Sequence, residues 1–343
     1  MDKKLRVMII GAGQIARTTH LPTLKNMEEA EVCGISDVNG KAAETLAEEF
    51  GIPVWGTDAA AMEKELRPDA VMVCVPNRFH YSLVMEALRG GAHVFCEKPP
   101  ALTPGEAEEM EKTARECGRI LTYGFHFRHD ERTALLKKAI EDGRLGKLYH
   151  AEAVWNRRRG IPGWGVFTNR SMQGGGALID LGGHILDLAA YLLDYPEPVS
   201  VSASMSDRIG KQGGTGLMGA WSGETFTVED GLFGTICFEG GISLTISTTF
   251  ALHQKAQNER KVLVFGDRAG ASLFDGELYT ADEDGLRDES LGETGENTPD
   301  TAHARCDENF VRACLGREEI LVKDWQGTYV QRLIAMLYEA AGR

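Results

Sequence analysis

Leu5-Arg6-Val7-Met8-Ile9-Ile10-Gly11-Ala12-Gly13-Gln14-Ile15-Ala16 joins a β-rich apolar run to a glycine turn and then to helix-forming sequence. Its second half reads G-x-G-x-x-A directly after a strand, the context in which such glycines cradle a dinucleotide pyrophosphate. Gly11 allows the tight turn, Gly13 lets the backbone approach the phosphates, and Ala16 keeps helix and strand close. The pyrophosphate would rest on backbone N–H groups at the helix N-terminus, so Gly11, Gly13, Gln14 and Ile15 are the residues expected there. Asp37 closes the next strand-like run, Ala30–Asp37. A carboxylate at that point accepts ribose hydroxyls and repels a 2′-phosphate, and Val38-Asn39 supplies no arginine to receive one. The cofactor expected is therefore NAD rather than NADP.

Working outward, short apolar runs alternate with helical stretches as far as Gly124. Asp69–Val75 and Ala92–Cys96 are unbroken apolar strands of the kind covered on both faces. Thr103 before Pro104 marks a helix start. This rhythm predicts an α/β fold whose first part, residues 1–124, is a Rossmann doubly wound parallel sheet. Beyond it, hairpin-linked strands from Val199 to Leu273 predict a second domain, residues 125–343, of α/β type with a large, mostly antiparallel open sheet. Its closing helix is placed to pack back on the first domain. Residues 275–300 hold ten acids and one arginine, which reads as an exposed loop region.

The 343 residues carry 51 acids against 37 Lys plus Arg, a formal net charge of -14. That balance argues against nucleic-acid or anionic-membrane partners, whose phosphates attract basic surfaces. No apolar run approaches the roughly 20 residues of a membrane span. Met1-Asp2-Lys3-Lys4-Leu5 runs into a strand without an apolar leader, so a cytoplasmic protein is expected. Seven cysteines without a C-x-x-C pair read as reduced structural thiols. No metal site is expected, because nothing indicates that the scattered His and Asp residues converge.

Four further segments carry chemistry. Val75-Pro76-Asn77-x-x-His80 ends a strand at the carboxyl edge of the sheet, where ligands bind, placing Pro76, Asn77 and His80 with the cofactor. Glu97-Lys98-Pro99 ends the next strand on the same edge. A lysine there can hydrogen-bond a substrate hydroxyl and favour its alkoxide, and Pro99 fixes the backbone direction, with a cis bond as one way of doing so. In Gly174-Gly175-Gly176-Ala177-Leu178-Ile179-Asp180-Leu181-Gly182-Gly183-His184-Ile185-Leu186-Asp187, a helix sets Asp180, His184 and Asp187 in one stripe beside the apolar face. Polar groups there, next to two helix-weakening glycines, are locally costly, and such breaches cluster at functional sites. His184 suits proton transfer near neutral pH, and a nearby carboxylate can set its tautomer. Finally, Trp155-Asn156-Arg157-Arg158-Arg159-Gly160-Ile161-Pro162-Gly163-Trp164 can hold a polar ligand and stack on a sugar face, with Arg157 and Trp164 as the substrate-side candidates.

Taken together, these motifs resemble the glucose–fructose oxidoreductase/inositol dehydrogenase (Gfo/Idh/MocA) family over nearly the whole chain. The resemblance implies an NAD(P)-dependent oxidoreductase acting on one carbinol of a sugar, inositol or related polyol. Lys98 matches the catalytic lysine, with Glu97 and Lys98 also beside the cofactor. Asp180 and His184 match the pair that binds substrate and moves its proton. Arg128, in FHFRHDE (125–131) where the family often has an Arg-Phe-x-Pro-like run, is grouped with the substrate residues. The resemblance further implies a homodimer or homotetramer formed through the C-terminal sheet. The same residues would also serve an enzyme that retains NAD and oxidises a sugar transiently to eliminate a group or cleave a glycoside. A non-catalytic NAD-binding regulator is a third reading, less favoured because the lysine and histidine are both present.

Overall fold

The computed structural model describes residues 4–283, 285–295 and 298–343. It divides into two compact units. The first comprises Met1–His129 with Thr298–Thr328, and the second Asp130–Asn297 with Tyr329–Arg343.

In the first unit the strands are β1 (Leu5–Ile10), β2 (Ala30–Ser36), β3 (Trp55–Gly56), β4 (Ala70–Val73), β5 (His93–Cys96) and β6 (Leu121–Tyr123). They form one parallel sheet in the order β3-β2-β1-β4-β5-β6. The order reverses beside β1, which is where a doubly wound sheet opens a ligand crevice at its carboxyl edge. Val7, Met8 and Ile9 of β1 and Ala70, Val71 and Met72 of β4 are all fully buried, as expected of strands covered on both faces. The connecting helices are α1 (Leu21–Asn26), α2 (Gly40–Phe50), α3 (Ala59–Leu66), α4 (His80–Arg89) and α5 (Pro104–Cys117). Thr103 and Glu106 close a full capping box on α5, with Pro104 in its first turn. From near the chain's end, α9 (Pro299–Cys314) joins the same core, where Phe310 meets Phe95 edge-on at 5.7 Å.

The second unit holds α6 (Glu131–Glu141), α7 (Arg170–Gln173), α8 (Gly183–Leu192) and most of α10 (Asp324–Ala340). Its main sheet uses β7 (Leu148–Arg157), β8 (Pro198–Ser206), β11 (Gly231–Phe238), β12 (Ser243–Thr249), β13 (Asn258–Gly266), β14 (Ala269–Ser272), β15 (Glu277–Asp282) and β16 (Gly285–Ser290). The order is β16-β15-β14-β13-β7-β12-β11-β8, antiparallel except where β12 pairs with β7. A small ribbon of β9 (Gly214–Gly216) and β10 (Gly219–Trp221) lies apart from it. α8 packs on β7 and β13, covering one face.

One expectation is corrected. The acid-rich stretch 275–300 is not a loop throughout, because β15 and β16 form a hairpin that extends the sheet at its edge. Leu278 is buried on the inner side while all of β16 is exposed. An edge hairpin accepts many carboxylates because they point to water, and such charge blocks further strand pairing. Acid content concealed a short alternating pattern. Among the described residues, no helix is long and apolar enough to cross a membrane.

Candidate active site

The glycine turn is shaped by close approach of two strand ends. Gly11 has φ of +106°, and a Cβ there would lie 2.3 Å from the Cys74 carbonyl oxygen. Gly13 differs, since it is exposed and a Cβ would meet nothing within 4 Å. Its missing side chain therefore leaves space on the outer side of the turn, where a phosphate would approach. Gln14 is exposed, Ile15 half-buried and Ala16 fully buried against the sheet. The helix passes through one π turn, Ala16–His20, before continuing as α1. Asp37 is held at the mouth of this turn: one carboxylate oxygen accepts the Ala12 N–H at 2.7 Å and the other the Asn39 N–H at 2.7 Å.

Two more strand ends complete the first unit's edge. Pro76 is half-buried and Asn77 buried. His80 is fully buried, with Nδ1 2.8 Å from the Pro99 carbonyl and Nε2 2.9 Å from the Val75 carbonyl. Burial holds its pKa below the usual histidine value, despite those two carbonyls. The structure thus places His80 as a brace between the 75–80 and 97–100 turns. The Lys98–Pro99 peptide is cis. Glu97 accepts the Lys98 N–H at 3.2 Å through Oε2, and packs so closely on Gly124 that a Cβ there would lie 2.8 Å from its carboxylate. Burial pushes the Glu97 carboxyl up, but His20, His303 and Lys98 outweigh it and hold the group below the usual glutamate value. Arg128 lies in the interior of this unit, its guanidinium donating to Gln326 Oε1 at 2.9 Å, which commits it to the start of α10.

In the second unit the glycine-rich run is gripped by a buried carboxylate. Glu229 Oε1 accepts the Gly176 N–H at 2.9 Å, the Leu178 N–H at 3.1 Å and the Tyr338 hydroxyl at 2.8 Å. Arg343 lies 3.5 Å from the other oxygen and also donates to the Gly174 carbonyl. A Cβ at Gly175 would strike the Tyr338 hydroxyl and one at Gly176 the Glu229 carbonyl, so contact with this clamp excludes side chains at both positions. The following segment is not a regular α-helix from its start, as the sequence suggested. Leu178–Gly182 is a π turn leading into α8, consistent with the weak helix propensity of Gly182 and Gly183. Asp180 is half-buried, His184 nearly buried and Asp187 fully so.

The His184 ring sits 5.8 Å from that of Trp155. Arg157, partly stacked on Trp155 at 5.8 Å, donates to the Gly160 carbonyl. Burial lowers the Arg157 pKa while the Asp180 charge opposes the shift, placing those two groups within electrostatic reach. The unit therefore brings Trp155, Arg157, Asp180 and His184 into one group. It separates the arginine run: Arg158 is exposed, whereas Arg159 donates to the Thr215 carbonyl at 2.8 Å over the Trp221 ring. Trp164 stands half-exposed, edge-on to Phe167. Sequence reasoning missed Glu229, Tyr338 and Arg343, which have no motif and lie far apart in the chain. It also missed His20 and Asp307, although His20 follows the glycine turn closely enough to be found on its helix.

A doubly wound parallel sheet with a tight glycine turn after its first strand is the frame of a dinucleotide-binding domain. Comparison with known proteins agrees. A family model described as "Oxidoreductase family, NAD-binding Rossmann fold" matches residues 5–125, and the "GFO/IDH/MocA C-terminal domain" matches 133–272. The chain belongs to the GFO/IDH/MocA oxidoreductase family, and its first unit is an NAD-binding Rossmann domain. It is 43% identical over 338 residues to D-glucoside 3-dehydrogenase of Escherichia coli K12, covering 98% of this chain and 95% of that one. Inositol 2-dehydrogenase of Rhizobium meliloti is 30% identical over 207 residues, 60% of each chain. Among solved structures, levoglucosan dehydrogenase in complex with NADH and levoglucosan has the same fold, with a TM-score of 0.83 at 20% identity, covering 99% of this chain and 98% of that one.

Proposed function

We propose that this protein is an NAD-dependent dehydrogenase of D-glucosides, oxidising the secondary carbinol at C3 of the sugar. The observation that carries the reading is the near full-length likeness to D-glucoside 3-dehydrogenase of Escherichia coli K12, in a chain that itself has Lys98, Asp180 and His184. The first unit fits the cofactor. Gly13 leaves open space at the helix start, and Asp37 offers a carboxylate suited to a ribose diol, with no adjacent arginine for a 2′-phosphate.

Each side chain has a defined task. Asp180 and Arg157 hold sugar hydroxyls, and Asp180 orients His184. His184 takes the proton from the reacting hydroxyl while the Lys98 ammonium stabilises the developing alkoxide. Trp155 and Trp164 present flat apolar faces to the sugar ring. Gly11, Gly13, Gln14, Ile15 and Asp37 would hold NAD, which would supply the hydride acceptor for the same carbon. Glu97 fixes the backbone of Lys98, His80 braces the two turns of the sheet edge, Pro76 and Asn77 would help to hold the cofactor, and Arg128 supports the unit from within. We also propose a cytoplasmic homodimer or homotetramer built on the eight-stranded sheet. Along β11, Phe233 and Cys237 are exposed while Leu232 and Ile236 are buried. Light scattering on the purified protein tests the assembly, and a monomer would contradict it. NADH formation with methyl glucosides, free glucose, inositols and polyols tests the activity. Glucosides should be preferred, and equal or better rates with inositols would overturn the substrate assignment.

A further inference from the structure

His20 lies on the helix that opens at the glycine turn and is 1% exposed, yet both of its ring nitrogens face carboxylates. Nδ1 lies 3.0 and 2.9 Å from the two oxygens of Asp307, on α9, and Nε2 lies 3.2 Å from Oε1 of Glu97, at the end of β5. Asp307 is as buried as His20. The ring also stands edge-on to Phe95 at 5.3 Å, itself in contact with Phe310 of α9. Three elements of the first unit thus meet at one imidazole.

We propose that His20 is a positioning residue for the reaction: held as an imidazolium between Asp307 and Glu97, it fixes the carboxylate that sets the backbone of Lys98. Ionised carboxylates only accept hydrogen bonds, and a neutral imidazole has a single N–H, so serving both partners requires both nitrogens to carry protons. A neutral ring would leave two buried negative charges facing each other across it, an arrangement costlier than one balanced by a cation. Burial opposes the charge, but the Asp307 carboxylate bonded to the ring favours it, and the pKa of His20 stands well above the usual histidine range. The other groups acting on Glu97 are His303 and Lys98, both of which favour its ionised form. From Glu97 the link to the chemistry is one hydrogen bond: Oε2 accepts the Lys98 N–H, while Gly124 admits the carboxylate from the other side. Without His20, one of the two acids takes up a proton, and the turn carrying Lys98 loses its anchor. The inference rests on the proposed dehydrogenase reading only in giving Lys98 a part in turnover.

Two readouts on the full-length protein separate the claims. Ring 15N spectra, with His20 assigned through His20→Gln, should show an imidazolium persisting well past the pH of about 6.5 at which a free histidine loses its proton. A neutral His20 ring at pH 7 overturns the proposal, whatever the substrate proves to be. In glucoside oxidation, His20→Gln should lower kcat about ten-fold or more while the NAD Kd and the sugar KM move less than about three-fold. The charge-balanced double variant His20→Gln/Asp307→Asn should recover part of that loss. Unchanged kcat, simply additive losses, or a parallel rise in NAD Kd would mark His20 as a packing residue and overturn the proposal. If His20→Gln does not fold, Asp307→Asn reads the same kcat-against-Kd split. Absence of turnover by the unmodified protein would defeat the dehydrogenase reading while leaving the spectral test intact.

Discussion

The carboxylate of Glu229 accepts the backbone N–H of Gly176 at 2.9 Å, inside the second unit and away from water. This bond, with those from Leu178 and Tyr338, fixes the start of the segment that carries Asp180 and His184. Glu229→Ala would strand buried donors, each worth about 1–3 kcal/mol. We expect a lower Tm, together with a fall in kcat larger than the stability loss explains at room temperature. Thermal melts and initial rates on the same preparation check this. A variant with normal Tm and normal kcat would show that the clamp does not shape the site.

Gly11 and Gly13 should respond differently to the same added methyl group. At Gly11, positive φ and the Cys74 carbonyl at 2.3 Å from a Cβ both oppose alanine, so Gly11→Ala should lower the Tm. At Gly13 the methyl has room, so Gly13→Ala should melt normally but bind NAD about ten-fold or more weakly. Calorimetric titration with NAD alongside thermal melts distinguishes the two outcomes. Equal loss of stability in both variants would refute the assignment of open space at Gly13 to the cofactor.

Asp37 is proposed to govern the choice between dinucleotides. Replacing it with serine removes the negative charge that repels a 2′-phosphate while keeping a hydroxyl near Ala12. The ratio of kcat/KM for NAD to that for NADP should fall about ten-fold or more in Asp37→Ser. A ratio that does not move would remove Asp37 from cofactor selection.

Glu63 on α3 supplies a pH dependence unconnected with catalysis. Burial, with a smaller push from Glu86 on α4, raises its pKa to about 7, and its Oε1 is buried without a hydrogen-bond partner. Because the folded pKa exceeds the ordinary value of 4.5, the folded state holds a proton that the unfolded chain has released between pH 4.5 and 7. Stability therefore falls as pH rises through that window. Glu63→Gln should remove this slope and stabilise the protein at pH 8 by about 1 kcal/mol, a figure discounted for the group's partial exposure. Denaturant titrations at pH 5 and pH 8 provide the check, and an unchanged slope would contradict the assignment.

Much of the fold was legible because its signals are local. The run from Leu5 to Ala16 contains strand, turn and helix start in order, and Thr103-Pro104 announces α5. The β15–β16 hairpin was not legible, because ten acids in 275–300 outweighed the alternation around Leu278. Within the candidate site, Lys98 and His184 stand in contiguous motifs. Glu229 and Tyr338, or His20 and Asp307, are separated by 109 and 287 positions and meet only through tertiary packing. The three consecutive arginines show the same boundary. One sequence run suggested a single cationic patch, but hydrogen bonds to Gly160 and Thr215 turn Arg157 and Arg159 to different neighbours.

Oxidation of D-glucosides with NAD, using Lys98 in turnover, is the reaction proposed for this protein. Its most direct test follows NADH absorbance with a methyl glucoside for the unmodified protein and Lys98→Ala, with NAD binding measured for both. NADH should form with the unmodified protein and fall by about two orders of magnitude or more in the variant, while NAD Kd stays within about three-fold. Equal turnover by both proteins would contradict the role of Lys98, and no NADH from any glucoside would contradict the activity itself.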